Sequence, residues 1–181
     1  MSQQQLFDVK IKHADLIPIA YKWVLKNASC GCAFKELNSI AGEYADVIGF
    51  GSGGHSVLVE VKVSRSDFLD DKKKSFRIHP EQGMGTERYY CCPTGLINVS
   101  DLPKGWGLIY VFNGKAKLVH RPMEEYSFKA HDKTYTSKRT YRHEKNIKAE
   151  HTLMYSALRR LHIKGHIECI YDKQYNYNHK D

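Results

Sequence analysis

Residues 56–63 constrain the fold more than any other part of the sequence, because they show the strict alternation of a β-strand. The odd positions are all valine, and the even positions are Ser56, Leu58, Glu60 and Lys62. A face of four β-branched side chains predicts that this strand packs against a layer of helices. Glu60 and Lys62 lie together on the opposite face, about 7 Å apart along the strand.

Helix and strand patterns alternate on both sides of this segment. A first helix is predicted from Asp15 to about residue 27, and a second from its N-cap Ser66 to about residue 77. Further strands are predicted at 33–37, 44–50, 88–92, 106–112 and 116–120, the last two joined by a hairpin turn at Asn113-Gly114. We therefore expect an α/β fold in one domain over residues 1–181, with a mobile basic loop at about 124–143 and a C-terminal helix at about 144–162.

The composition is that of a globular protein, with 41% apolar and 27% charged residues in 181. No apolar run approaches the roughly 18 residues of a membrane span, and the first residues lack the apolar stretch and cleavage site of a signal peptide. These features predict a cytoplasmic protein without a membrane partner.

Positive charge is concentrated in the C-terminal part of the chain, whose formal net charge is +8 overall. Residues 1–100 carry 12 Lys and Arg against 11 Asp and Glu, whereas residues 101–181 carry 16 against 9. Such a field attracts a polyanion, so nucleic acid is the expected partner. The candidate phosphate contacts in the basic loop, interleaved with tyrosines, are Lys133, Lys138, Arg139 and Arg142. The alternatives are a solvated loop and a basic surface that serves solubility.

Asp46 belongs to the predicted strand 44–50, which a Gly-rich turn connects to the strand that holds Glu60 and Lys62. Two carboxylates and a lysine then meet on one face of a hairpin. A divalent ion such as Mg²⁺ takes carboxylate oxygens, here from Asp46 and Glu60, and the backbone carbonyl of Val61 adds a third. Lys62 can orient or deprotonate a water and offset charge on the phosphate, so the pattern predicts metal-assisted phosphodiester hydrolysis. The alternative is a strand-edge acid beside a surface ion pair worth less than about 1 kcal/mol.

The motif Asp46, thirteen intervening residues and Glu60-Val61-Lys62, with a helix before and after it, resembles the PD-(D/E)xK nuclease superfamily. Within it, the chain is similar to the MmcB-like DNA-repair family and related, largely uncharacterised bacterial and phage proteins. The similarity covers about residues 14–122, and the segments that carry it are Ala45-Asp46-Val47, residues 60–73, Gly83-Met84-Gly85, Arg88-Tyr89-Tyr90, residues 93–97 and residues 102–108. One departure is Ala45, where the superfamily often has proline.

The resemblance implies a restriction-endonuclease-like mixed central β-sheet flanked by helices. It also implies a Mg²⁺ or Mn²⁺ site at Asp46 and Glu60, and a catalytic role for Lys62. Some members contribute a further acidic ligand from an upstream element, for which Glu36 and Glu43 compete. Glu43 lies three residues before Asp46 and would face the opposite side of an extended strand, so Glu36 is the candidate.

Three further cations flank the predicted metal site and are candidate phosphate contacts: Arg65, Lys72 and Arg88. Each has an alternative interpretation, namely a solvated side chain for Arg65 and Lys72 and a structural turn for Arg88.

The leading function is a divalent-metal-dependent nuclease that acts on DNA. The alternatives are a ribonuclease and a non-catalytic nucleic-acid-binding module on the same fold. The sequence leaves open whether cleavage is endo- or exonucleolytic and whether the chain forms a homodimer that cuts both strands.

Overall fold

The computed structural model describes residues 11–37 and 42–171, and within these ranges four α-helices and eight β-strands are present. The helices are α1 (His13–Asn27), α2 (Arg65–Asp71), α3 (Ser75–Ile78) and α4 (Ile147–Ile163). The strands are β1 (Cys32–Lys35), β2 (Val47–Phe50), β3 (Ser56–Val61), β4 (Glu87–Pro93), β5 (Trp106–Phe112), β6 (Lys115–His120), β7 (Met123–Ala130) and β8 (Lys133–Thr140).

Six of the strands form one mixed sheet in the order β1-β2-β3-β4-β5-β6. The pairs β3–β4 and β4–β5 are parallel, and the other neighbouring pairs are antiparallel. Helices cover this sheet, so the predicted α/β class with a mixed central sheet is confirmed. No helix in the described ranges has both the length and the apolar character needed to cross a bilayer.

The valine face of β3 packs against α1, as its alternation predicts. Val57, Val59 and Val61 are fully buried with Ala20 and Val24 of α1. Burial of each such valine contributes roughly 1.5–3 kcal/mol, so this layer fixes which way β3 faces.

The opposite face of β3 is buried too, which rules out the alternative interpretation of Glu60 and Lys62 as a surface ion pair. Leu58 and Glu60 are 0% and 2% exposed, and a second core layer covers them. This layer holds Phe68 of α2 and Leu153 of α4. Alternation along β3 distinguishes its two faces but does not tell whether distant segments cover both.

The predicted helix at 66–77 is two shorter helices, and its N-cap is Ser64 rather than Ser66. The Ser64 hydroxyl accepts a hydrogen bond from the Asp67 amide at 3.2 Å. Lys74 then adopts extended backbone angles and separates α2 from α3. The break directs Arg77 of α3 into the second core layer, where it is 9% exposed.

The segment predicted as a mobile loop at 124–143 is instead the antiparallel hairpin β7–β8, which forms a separate two-stranded sheet. Its sequence is rich in Thr and Tyr, which favour strands. The turn residues His131 and Asp132 both have positive φ, 48° and 61°, as the tight turns of hairpins require. The segment is therefore both strongly charged and folded as strands.

The C-terminal helix follows as predicted, but only its first half packs on the body of the protein. Ala149, Glu150 and Leu153 are buried, whereas Leu158 and Leu161 are 52% and 43% exposed.

Candidate functional site

Three side chains of the kinds that can bind a metal meet at one end of the sheet: His13, Glu36 and Asp46. One ligand atom from each lies within 4.8 Å of those of the other two, and His13 Nε2 is 3.2 Å from Asp46 Oδ2. Glu36 directly follows β1 and Asp46 directly precedes β2, so antiparallel pairing brings them together, and the Glu36 amide donates to the Asp46 carbonyl at 3.0 Å. An imidazole nitrogen and two carboxylates form a donor set suited to a divalent ion.

The backbone of Glu36 adopts an uncommon conformation beside this cluster. Its φ is +45°, in the left-handed region that glutamate rarely adopts. Such conformations are uncommon and concentrate at functional sites, where the surrounding structure maintains them.

Asp46 also links this cluster to β3. Its Oδ2 accepts a hydrogen bond from the Val61 amide at 2.7 Å, at the end of the strand that holds Glu60. Its negative charge contributes to the raised pKa of Glu60. The predicted grouping of Asp46 with Glu60 and Lys62 is therefore present in space, while their roles and the Val61 carbonyl ligand stay predictions.

Lys62 is buried among carboxylates. Its Nζ lies 3.7 Å from Glu60 Oε2, 3.5 Å from Asp67 Oδ1 and 3.4 Å from Asp71 Oδ1. Lys62 is 3% exposed, and the side chain of Asp67 is half-exposed at the surface beside it. These contacts hold the ammonium group next to Glu60 at the end of β3.

Arg77 is the centre of a buried charge network behind Lys62. It pairs with Glu43, with Asp71 at 2.9 Å and with Glu60 at 3.0 Å. The Tyr90 hydroxyl donates to Asp71 at 2.9 Å. Glu43 therefore belongs to this network, and it is Glu36 that lies beside Asp46.

Two of the three buried acids of the network, Glu60 and Asp71, have pKa values shifted in opposite directions. Burial raises the pKa of Glu60 to about 8, with Arg77 opposing this and the charges of Asp46 and Asp71 adding to it. Burial acts in the same direction on Asp71, but Arg77 and a hydrogen bond from Lys74 lower the pKa of Asp71 well below its usual range. A divalent ion bound beside Glu60 would favour the ionised form of this side chain.

The segment Gly83 to Thr86 connects this network to the C-terminal part of the chain. The Met84 amide donates to Glu43 Oε2 at 2.6 Å, and the Gly85 amide donates to Glu150 of α4 at 2.9 Å. The Thr86 carbonyl accepts from the His143 amide at 2.8 Å. Three hydrogen bonds thus connect Arg77 to α4, through Glu43, the Met84 amide and the Gly85 amide.

The structure does not support the predicted contact of Arg88 with phosphate. It is 1% exposed, and its guanidinium donates to backbone carbonyls of Pro80, Gly83, Gly85 and Glu144. Burial lowers its pKa to about 10. Arg88 is a structural residue that ties β4 to the loops around it, which excludes the predicted nucleic-acid contact.

Arg65 and Lys72 are attached to the turn at Val99–Asp101. Arg65 pairs with both carboxylate oxygens of Asp101, one of them at 2.7 Å, and Lys72 donates to the Asp101 carbonyl at 3.0 Å. Among the described residues, neither Arg65 nor Lys72 forms a hydrogen bond or ion pair with Asp46 or Glu60. Phosphate binding by Arg65, which is exposed, and by Lys72 stays a prediction.

The four predicted cations of the C-terminal part lie on or after β8 and are exposed: Lys133, Lys138, Arg139 and Arg142. Lys138 is 3.8 Å from Glu125, and Arg139 donates to Glu124 at 2.8 Å. Their exposure leaves them accessible to a polyanion.

The sequence analysis missed three residues of this region: His13, Asp71 and Arg77. Nothing near His13 distinguishes it from the other nine histidines of the chain. Asp71 follows Phe68 by three residues and so shares the buried side of α2, which is the signal that could have found it. The burial of Arg77 depends on the break between α2 and α3, which the sequence pattern does not indicate.

Replacing Arg77 with methionine should destabilise the protein by about 3–5 kcal/mol, because three buried carboxylates lose their shared counterion. Urea unfolding at neutral pH measures this loss. The matched control is Lys73→Met, which removes an exposed pair with Asp70 and should cost less than about 1 kcal/mol. An Arg77 variant as stable as the control would show that the network does not hold the fold together.

The sequence matches no protein-family model and no curated protein. Among solved structures, the chain is similar to a protein of unknown function from Silicibacter pomeroyi, with 16% sequence identity and a TM-score of 0.49. The match covers 90% of this chain and 94% of that one.

Proposed function

We propose that this protein is a divalent-metal-dependent nuclease that hydrolyses phosphodiester bonds in DNA. The observation that carries the proposal is the hydrogen bond from the Val61 amide to Asp46, which joins the His13–Glu36–Asp46 cluster to the Glu60–Lys62 pair. The order and spacing of Asp46, Glu60 and Lys62 also resemble the PD-(D/E)xK pattern.

The donor set fits Mg²⁺ or Mn²⁺. Asp46 and Glu36 offer carboxylate oxygens, and His13 offers an imidazole nitrogen that suits Mn²⁺ better than Mg²⁺. Glu60 is outside this cluster and is linked to it through the charge of Asp46. When bound, such an ion polarises a phosphoryl oxygen and lowers the pKa of a coordinated water.

Lys62 supplies the positive charge of the proposed site. Its ammonium can donate hydrogen bonds to a phosphate oxygen or an attacking water, and it offsets negative charge that develops during hydrolysis. Asp67 and Asp71 hold the ammonium group at the end of β3, which reduces the reorganisation needed at the moment of reaction.

Cleavage assays on the full chain test the proposal. Linear duplex, circular duplex, single-stranded DNA and RNA are each incubated with Mg²⁺, with Mn²⁺ or with EDTA. We expect DNA cleavage with either metal and none in EDTA. DNA binding without cleavage in any metal would favour a non-catalytic binding module, and cleavage of RNA alone would favour a ribonuclease.

A further inference from the structure

The hairpin β7–β8 pairs only with itself in the part of the chain that the structure describes. A two-stranded sheet is marginally stable alone, so its root must be held. The Tyr141 amide donates to the Pro122 carbonyl at 2.8 Å, which closes the hairpin where it leaves the body. The rest of the hairpin presents two accessible faces.

One of these faces carries a row of aromatic rings. Tyr126 and Phe128 alternate along β7, and Tyr135 is the register partner of Phe128. The Tyr126 and Phe128 ring centroids are 5.9 Å apart, those of Phe128 and Tyr135 are 5.5 Å apart, and the planes differ by 26° and 21°. Phe128 and Tyr135 are each 45% exposed, so the row has an open side.

A basic side chain lies at each end of the row, and the one at the hairpin root, Arg139, also donates to Glu124 on the same face. The Arg139 guanidinium lies 4.9 Å from the Tyr126 ring centroid, and Lys133 pairs with Ala130 on the same face near the turn. Residues 121–142 carry six Lys and Arg against three Asp and Glu. The occupant of this face should therefore be both planar and anionic.

We propose that this aromatic face binds unpaired bases of single-stranded DNA, with Lys133 and Arg139 contacting the flanking phosphates. Base faces are available for stacking in single strands and are hidden inside a duplex. A second copy of the chain is a poorer occupant, because it would bring like charges together. The inference rests on the proposed nuclease function and specifies its substrate as DNA with a single-stranded segment.

Fluorescence anisotropy of the full chain in EDTA tests the proposal, because no cleavage occurs there. The probes are a labelled oligothymidylate of about 20 nucleotides and a labelled duplex of mixed sequence. For the double variant Phe128→Ser/Tyr135→Ser we expect about 10–100-fold weaker binding of the single strand and duplex binding within about twofold of the unmodified chain.

Two further variants separate stacking from loss of the hairpin. Phe128→Leu/Tyr135→Leu keeps apolar side chains on the strands but removes the flat rings, and it should also weaken single-strand binding at least about fivefold. Thr134→Ser/Thr136→Ser alters the opposite face of β8 and should leave binding unchanged. Leucine variants that bind the single strand as tightly as the unmodified chain would overturn the proposal.

The remaining outcomes are also distinguishable. An equal loss of single-strand and duplex binding would overturn base stacking. So would a dimer in sedimentation that the serine variant dissociates while single-strand affinity is retained, since the face would then be a self-association surface. Selective single-strand binding by a chain that never cleaves DNA would support this inference and contradict the proposed nuclease function.

Discussion

Replacing Asp46 with asparagine lowers the rate of metal-dependent DNA cleavage by about 10³-fold, the result that we expect if this side chain holds the metal. Loss of a carboxylate ligand removes several kcal/mol of charge stabilisation, and each 1.36 kcal/mol corresponds to a tenfold change in rate. The amide oxygen of asparagine can still accept the hydrogen bond from the Val61 amide, so we expect the fold to be preserved. Single-turnover cleavage with Mn²⁺ and calorimetric metal binding measure the two effects.

Asp70→Asn is the matched control for this variant. It makes the same chemical change at an exposed carboxylate that pairs with Lys73, and we expect cleavage to be unaffected. A folded Asp46 variant that cleaves at the unmodified rate would remove Asp46 from the site.

Replacing Lys62 with methionine lowers the single-turnover rate by about 10²–10³-fold at saturating metal, while metal affinity changes by less than about threefold. The expected split follows from the proposed role of Lys62, which is to stabilise charge on the phosphate rather than to hold the ion. Methionine fills a similar volume but leaves Glu60 and Asp71 without one of their cations, so the assay must be run well below the unfolding temperature.

Lys74→Met separates the two consequences of the Lys62 substitution. Lys74 lies 2.7 Å from Asp71, so this variant also removes a cation from Asp71, but Lys74 forms no ion pair with Glu60 among the described residues and acts on it only through longer-range charge. We expect some loss of stability and little change in the cleavage rate. Loss of metal binding with an unchanged single-turnover rate in the Lys62 variant would make Lys62 a structural residue.

The central sheet was predictable because its information is local. The alternation of β3 and the Asn113-Gly114 turn each specify their own structure within a few residues, and both are found as predicted. The break after α2 and the strand character of residues 123–140 were missed. The break after α2 lies at three consecutive lysines, which carry no helix-stop signal. The strands at 123–140 contain many charged residues, a composition that is also typical of a solvated loop.

The predicted site was incomplete for a different reason. Spacing along β3 puts Glu60 and Lys62 on one face. Arg77 and Glu43, which make that face a buried charge network, come from segments 15 or more residues away. Arg88 shows the same effect, because its carbonyl partners come from three separate loop positions and from Glu144. Burial of a charged residue depends on such distant partners and has no local signature.

The segment Gly83 to Thr86 connects the C-terminal third of the chain to the centre of the molecule, so we expect the two to unfold together. Its amides bond to Glu43 on one side and to Glu150 on the other, and its Thr86 carbonyl bonds to the amide of His143, three residues after β8. Local opening of the hairpin root or of α4 would therefore break the hydrogen bonds that this segment makes to His143 and Glu150. The same segment positions Glu43 against Arg77. For this reason we do not expect the hairpin and α4 to separate from the body of the protein. A DNA strand bound to the hairpin would reduce fluctuations at the carboxylates around Arg77, on the other side of the segment Gly83 to Thr86.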